Sequence, residues 1–208
     1  MISINDYEDP FQLIDDFEKD IAQYTNAPYV VTTDCCTHAI ELCFRYLISQ
    51  DTSTLNKTIT IPKKTYLSIP MVFHKLGIPY KLIDGEWNSE YNFGFTNIWD
   101  SARCLINGMY KTNQVQCLSF GRTKPLEIGR GGAILLSDKK MYTWLKRARY
   151  DGRDLTINPW QAQTKFQVGY HYMMRPEECV IGRNMLQNNE ITNSSNFTYP
   201  DLSKCVIE

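Results

Sequence analysis

The stretch that most constrains this chain runs from Cys117 to Ser137 and reads CLSFGRTKPLEIGRGGAILLS. A short apolar run, Gln116 to Phe120, leads into a polar segment holding one lysine, Lys124. The glycine cluster Gly129-Arg130-Gly131-Gly132 follows, and then a second apolar run, Ala133 to Leu136. Short apolar runs bounded by glycine and polar residues are strands, so the stretch predicts strand, lysine loop, glycine turn and strand. A lysine held between two buried strands loses its proton at low cost, because desolvation disfavours the ammonium form. A neutral amine is what condensation with a carbonyl needs. Taken alone, the stretch favours the plainer reading, a solvated lysine in a hairpin loop.

The rest of the chain alternates in the same way. Phe11, Leu13, Ile14, Phe17, Ile21 and Tyr24 fall at helical spacing, and Tyr29 to Thr33 is a short buried strand;. Asp34-Cys35-Cys36-Thr37-His38 then opens a second amphipathic helix, from about Thr37 to Ile48. A strand, a polar turn and a helix N-terminus make an anion site, because the first N–H groups of the helix are unpaired. Thr58 to Pro62 reads as a strand, Ser68 to Leu76 as a helix closed by Gly77, and Ile78 to Ile83 as the next strand;. Asp84 to Phe95 is loop-like, Thr96 to Trp99 is a strand entering Asp100, and after the lysine segment Ser137-Asp138-Lys139-Lys140 leads into a helix through about Arg149. Alternating strands and helices predict an α/β fold with a mostly parallel central sheet and ligands at the carboxyl ends of its strands.

At 208 residues the chain is long enough for one domain with a substantial core;. A formal net charge of -1 gives no footprint for nucleic acid or an anionic membrane;. No apolar run reaches membrane-spanning length, and the opening MISINDYEDPFQ lacks a signal-peptide pattern, which reads as cytoplasmic;. The seven cysteines include no CxxC pair, so no zinc site is expected, and a reducing compartment is the simpler setting;. The adjacent Cys35 and Cys36 are candidates for redox sensitivity only if exposed;. From about Asn188 the composition turns polar, giving a division into a domain over 1–187 and a tail over 188–208;. The sequons at Asn193 and Asn196 carry no meaning in a cytoplasmic protein;.

Several of these segments together resemble the DegT/StrS family of pyridoxal-phosphate-dependent sugar aminotransferases. Ser119-Phe120, then Lys124, then Gly129-x-Gly-Gly and an apolar strand is similar to the family's lysine segment. FEKDIAQYTNAPYVVTTDCCTHAIEL is similar to its opening helix, strand and phosphate loop, and Asp100-Ser101-Ala102-Arg103 to its E-D-A-A-Q/H. Arg149-Tyr150-Asp151-Gly152 resembles R-N-H-G, and Gly169-Tyr170-His171-Tyr172 resembles G-Y-N-Y. The likeness runs from about residue 11 to 187. It implies a three-layer α/β/α large domain, shortened where Asp84 to Phe95 leaves no room for a further strand and helix, and without the family's small C-terminal domain.

The resemblance also implies roles. Lys124 falls on the cofactor-bearing lysine and Asp100 on the aspartate that pairs with the pyridinium nitrogen, where a carboxylate keeps the ring an electron acceptor. Thr37, Cys36 and Ser119 fall on phosphate-holding positions, and Tyr66 on the aromatic that stacks on the ring. Arg103 stands where the family has glutamine or histidine against the ring oxygen. His171 stands for an asparagine that reaches the phosphate of the neighbouring subunit, so a homodimer is implied. Cys36 replaces a glycine, which the fold tolerates if the backbone there keeps a negative φ. Read without the family, Asp100 is equally a helix-capping aspartate, Tyr66 a half-buried loop aromatic and His171 a structural histidine. The implied activity moves an amino group from an amino acid, glutamate, to a keto sugar on a nucleotide. The alternative is a reduced relative that binds the cofactor or a protein partner with weak turnover.

Overall fold

The structure, a computed structural model, describes residues 1–192 and 198–206. Helix α1, Pro10–Thr25, starts where the sequence supplies a cap: Asp9 accepts from the Phe11 N–H at 2.9 Å and Pro10 takes the first helical position;. Asn26, in the left-handed conformation, ends it and turns the chain into β1, Tyr29–Thr33;. Helix α2, Cys36–Gln50, follows with two residues between. Then come β2, Ile59–Pro62; α3, Ser68–Leu76; β3, Tyr80–Ile83; β4, Tyr91–Asn92; and β5, Ile98–Asp100. Strand β6, Val115–Ser119, and β7, Gly132–Leu136, flank the lysine loop, and helices α4, Lys139–Ala148, and α5, Pro176–Gln187, complete the order.

Five strands form one sheet in the order β1-β7-β6-β5-β4, and β2 and β3 pair separately. Side chains alternate between the faces along each strand. Val31, Val115, Cys117, Ile134 and Leu136 join a core with α2, α3 and α4. Val30, Leu118, Ala133 and Leu135 join a second core with α1 and α5. The architecture is therefore three layers, α/β/α, as expected. Each fully buried side chain such as Phe17 or Phe44 contributes roughly 1.5–3 kcal/mol to it;.

The expectation of a mostly parallel sheet is corrected. The pairings β1·β7, β7·β6 and β5·β4 are antiparallel, and β5·β6 is the parallel one within the larger sheet. A parallel pair needs a long crossover, and no helix separates β6 from β7, so the chain returns as a hairpin;. Strands β1, β5 and β6 still point the same way, with β7 reversed between β1 and β6. The shortening expected at Asp84 to Phe95 is also resolved. That segment holds only the two-residue β4, and β2·β3 stand apart as a parallel pair of their own. Asn193 and Asn196, the sequon asparagines, lie outside the described residues. No helix among the described residues is long and apolar enough to cross a membrane.

Candidate active site

Strands β1, β5 and β6 deliver their carboxyl ends to one place. The turn after β1 brings Cys36 and Thr37, β5 ends in Asp100, and β6 ends in Ser119 before the loop to Lys124. The segment from β2 to α3 adds Tyr66. These residues and Arg103 line one cavity of about 510 Å³.

Two glycines set how closely the parts approach. A Cβ on Gly132 would stand 2.6 Å from the Cys36 backbone nitrogen and 2.8 Å from the Leu118 carbonyl oxygen. Gly131 has φ +116, in the region that favours glycine;. With both positions bare, β7 starts directly against the first turn of α2. The loop is closed at its base by Phe120 N–H to Gly131 O at 2.9 Å and Gly129 N–H to Phe120 O at 3.0 Å. Cys36, the first residue of α2, has no positive φ, so a non-glycine residue fits there without backbone strain. Its side chain is buried, and burial pushes its thiol well up. Cys35 caps α2 without a side-chain hydrogen bond, and Thr37 Oγ1 lies 2.8 Å from Ser68 Oγ.

Asp100 is buried with its carboxylate against the cavity. Its Oδ2 accepts from the Tyr91 hydroxyl at 2.9 Å and its Oδ1 from the Ala102 N–H at 3.0 Å. Tyr91 is itself held at 2.7 Å from Thr65 Oγ1. Burial pushes the Asp100 carboxyl up, and the Ala102 N–H, the Tyr91 hydroxyl and nearby Lys124 offset only part of that rise;. Lys124 is half-buried, and its Nζ donates to the Tyr199 hydroxyl at 3.4 Å. Tyr66 is 59% exposed at the mouth.

Beside the cavity, His38 stacks on Tyr172 with ring centres 3.6 Å apart and bonds Asp34 at 2.6 Å. Burial draws the His38 pKa down, but the Asp34 bond and Cys35 outweigh it and hold it at about 9. Asp34, Cys35 and His38 bring donor atoms within 4.8 Å of one another, a grouping that no CxxC pattern reveals. The Asp34 carboxylate there is already engaged by Arg130 at 2.9 Å as well as by His38.

Seven of the eight residues singled out in the sequence thus line one cavity, and His171 does not. Its side chain is 80% exposed and pairs with Asp151 at 3.2 Å.

Comparison with known proteins decides what this arrangement is related to. Residues 108–198 match the model of the DegT/DnrJ/EryC1/StrS aminotransferase family. Among solved structures, the chain is similar to AtS13 from Actinomadura melliaura, with a TM-score of 0.73 at 16% identity, over 86% of this chain and 60% of that one. It is similar to the sugar aminotransferase CalS13 from Micromonospora echinospora, with a TM-score of 0.68 at 14% identity, over 86% and 61%. It is also similar to PseC of Helicobacter pylori, an aminotransferase involved in the biosynthesis of pseudoaminic acid, with a TM-score of 0.67 at 15% identity, over 86% and 58%. The chain thus spans about 60% of the length of the first structure it matches. No curated protein matches it in sequence.

The loop holding Lys124, Ser119 to Gly132, falls within the matched residues, whereas Thr37, Tyr66 and Asp100 lie before them. Four further residues of the cavity or its support escaped the sequence reading: Thr65, Trp87, Tyr91 and Tyr199. Trp87 and Tyr91 sit in the segment read as loop, and Tyr199 in the segment read as tail. A signal was present in both segments, aromatic residues among polar ones, but Trp87 and Tyr199 meet partners 23 and 75 residues away in sequence.

Proposed function

We propose that this chain is a pyridoxal-phosphate-dependent sugar aminotransferase. The observation that carries the reading is the meeting of Lys124 and the buried Asp100 in one cavity at the carboxyl ends of β5 and β6. The residues fit the cofactor. A buried carboxylate facing a cavity suits a protonated ring nitrogen, and the start of α2, with no side-chain cap, suits a phosphate;.

When bound, pyridoxal phosphate supplies a carbonyl that takes an amine and a ring that draws electrons from the attached carbon. Lys124 would hold it through Nζ and would also be the group placed to carry a proton at that amine. Asp100 would hold the ring nitrogen by its carboxylate. Thr37, Ser119 and the N–H groups around Cys36 hold the phosphate. Tyr66, at the mouth of the cavity, would offer a face for the ring, and Arg103 would be the side chain available to its oxygen. His171, outside the cavity and exposed, serves the phosphate of a second copy in a homodimer. The amino donor is an amino acid, glutamate, the acceptor is a nucleotide-linked keto sugar, and the setting is the cytoplasm. The domain over 1–187 is the cofactor-binding part.

The test is the visible absorbance of the purified protein titrated with pyridoxal phosphate, in wild type and Lys124→Ala. Wild type gains a band that borohydride removes, leaving a covalent mass addition on the Lys124 peptide, and the variant gains neither. Bleaching of the band by glutamate identifies the donor. No band at any cofactor concentration overturns the enzyme reading and leaves the alternative, a fold kept for binding or assembly.

A further inference from the structure

Tyr199 lies 75 residues beyond Lys124 in sequence, yet its hydroxyl accepts from Lys124 Nζ at 3.4 Å. It is not a loosely placed side chain. Its ring stacks on Trp87 with centres 5.7 Å apart and planes 17° apart, and the Arg103 guanidinium lies 6.0 Å from the ring centre. Trp87 is fixed in turn, its Nε1 donating to the Lys64 carbonyl at 2.8 Å. The backbone just after Tyr199 is docked on the segment that follows β2. Asp201 bridges to Lys64, the Leu202 N–H donates to the Lys63 carbonyl at 2.8 Å, and Leu202 is only 3% exposed.

We propose that Tyr199 is a positioning residue for Lys124, and that residues 198–205 form a strap whose purpose is to present it. The proposal rests on the reading of Lys124 as the cofactor anchor and deepens it. A lysine on a four-carbon stem is rotationally loose, and a fixed acceptor at its tip selects the rotamers that reach it. The phenol does this from the side of the cavity where Trp87, Tyr199 and Arg103 also border a second, outer chamber of about 680 Å³. Tyr199 therefore forms the partition between the chamber holding Lys124 and Asp100 and the outer one. The chain closes its site with its own late segment here, docked by Leu202, rather than with the strands that carry the site.

The experiment reads Lys124 with and without the cofactor. Reductive methylation with ¹³C-formaldehyde labels the lysines, and the Lys124 signal is the one missing in Lys124→Arg. Tyr199→Phe keeps the ring on Trp87 and removes the hydroxyl that Lys124 reaches, while Leu202→Ala loosens the strap and leaves the phenol intact. The Lys124 signal is expected to move in both variants, with the melting temperature of Tyr199→Phe unchanged. Attachment of pyridoxal phosphate, trapped with borohydride and counted by mass, is expected to slow about 3- to 10-fold in Tyr199→Phe, the effect of losing one long hydrogen bond. A Lys124 signal in Tyr199→Phe that matches wild type across the pH range overturns the proposal. If the cofactor fails to attach to wild type, the cofactor reading falls, and the methyl signal alone still decides whether Tyr199 holds Lys124.

Discussion

The Asp100 carboxylate accepts two hydrogen bonds, from Tyr91 and from the Ala102 backbone, and still lies in a buried position that pushes its pKa up. Its charge is held there against the folded state. A carboxyl whose folded pKa is raised destabilises the fold once pH passes its unfolded value, and fully so above the folded value. Asp100→Asn removes the charge at no loss of shape. The amide oxygen can accept from Ala102, the amide nitrogen can donate to Tyr91, and the Tyr91 hydroxyl can turn its proton to Thr65 Oγ1, already 2.7 Å away. The variant is expected to melt roughly 2–4 °C above wild type at neutral pH without added cofactor. The gain should vanish in acid, where both states carry a neutral group, and cofactor binding should be lost at every pH. Melting curves across pH check this, and a variant less stable than wild type at neutral pH would sink it. The apolar runs before Asp100 and Lys124 were legible in the sequence, but only the family resemblance singled the two residues out. Tyr91 and Thr65, which hold Asp100, were not, because a hydroxyl pair 26 residues apart leaves no local mark.

At the scale of elements, the site depends on how β7 meets α2. Strand β7 runs antiparallel to both neighbours, and its first residue, Gly132, lies against the Cys36 nitrogen, the Cys35 carbonyl carbon and the Leu118 carbonyl oxygen. Those atoms are backbone and cannot swing aside as a side chain could. Gly132→Ala should therefore push the start of α2 away from β6, at a cost of about 1–3 kcal/mol. The damage falls on the N–H groups proposed to hold phosphate, so cofactor affinity should drop by more than the stability loss explains. A urea melt beside a cofactor titration separates the two effects, and an alanine variant with wild-type affinity would show that the contact is slack. The helices were legible from spacing and caps, with Ser68 to Leu76 found as read. The strand directions were not. Alternation of strands and helices suggested parallel pairing, while the real arrangement is fixed by the hairpin around Lys124 and by β7 inserting between β1 and β6. Strand β4, two residues long, carries too few residues for a period to register;.

Across the whole molecule, the two cores are tied at the open edge of the sheet. Strand β1 is the edge beyond β7, and its outward backbone groups need partners;. Glu18 from α1 accepts from the Thr32 N–H at 2.8 Å, and Arg149 from the end of α4 donates to the Thr32 carbonyl at 2.7 Å. Glu18 and Arg149 pair directly, and Lys146 reaches Glu18 at 2.7 Å. One buried cluster thus joins a helix of each outer layer to the strand between them and covers the edge with side chains. Burial alone would push the Glu18 carboxyl up, but Arg149 and Lys146 hold it below its ordinary value. Its contribution is therefore present above the usual carboxylate range and is lost as pH falls through the lowered value. Arg149→Met fills much of the same space while leaving Glu18 charged and buried with Lys146 as its one remaining cation, and facing an unpaired Thr32 carbonyl. Removing one partner of a buried pair costs about 3–5 kcal/mol, and the loss should be largest at neutral pH and shrink in acid as Glu18 takes a proton. Glu18→Gln combined with Arg149→Met should recover part of the loss, because the stranded charge is gone. Urea melts of the single and double variants at neutral and acid pH make the comparison. A double variant no more stable than Arg149→Met would mean that the bond to the Thr32 carbonyl, rather than charge pairing, is what holds the edge.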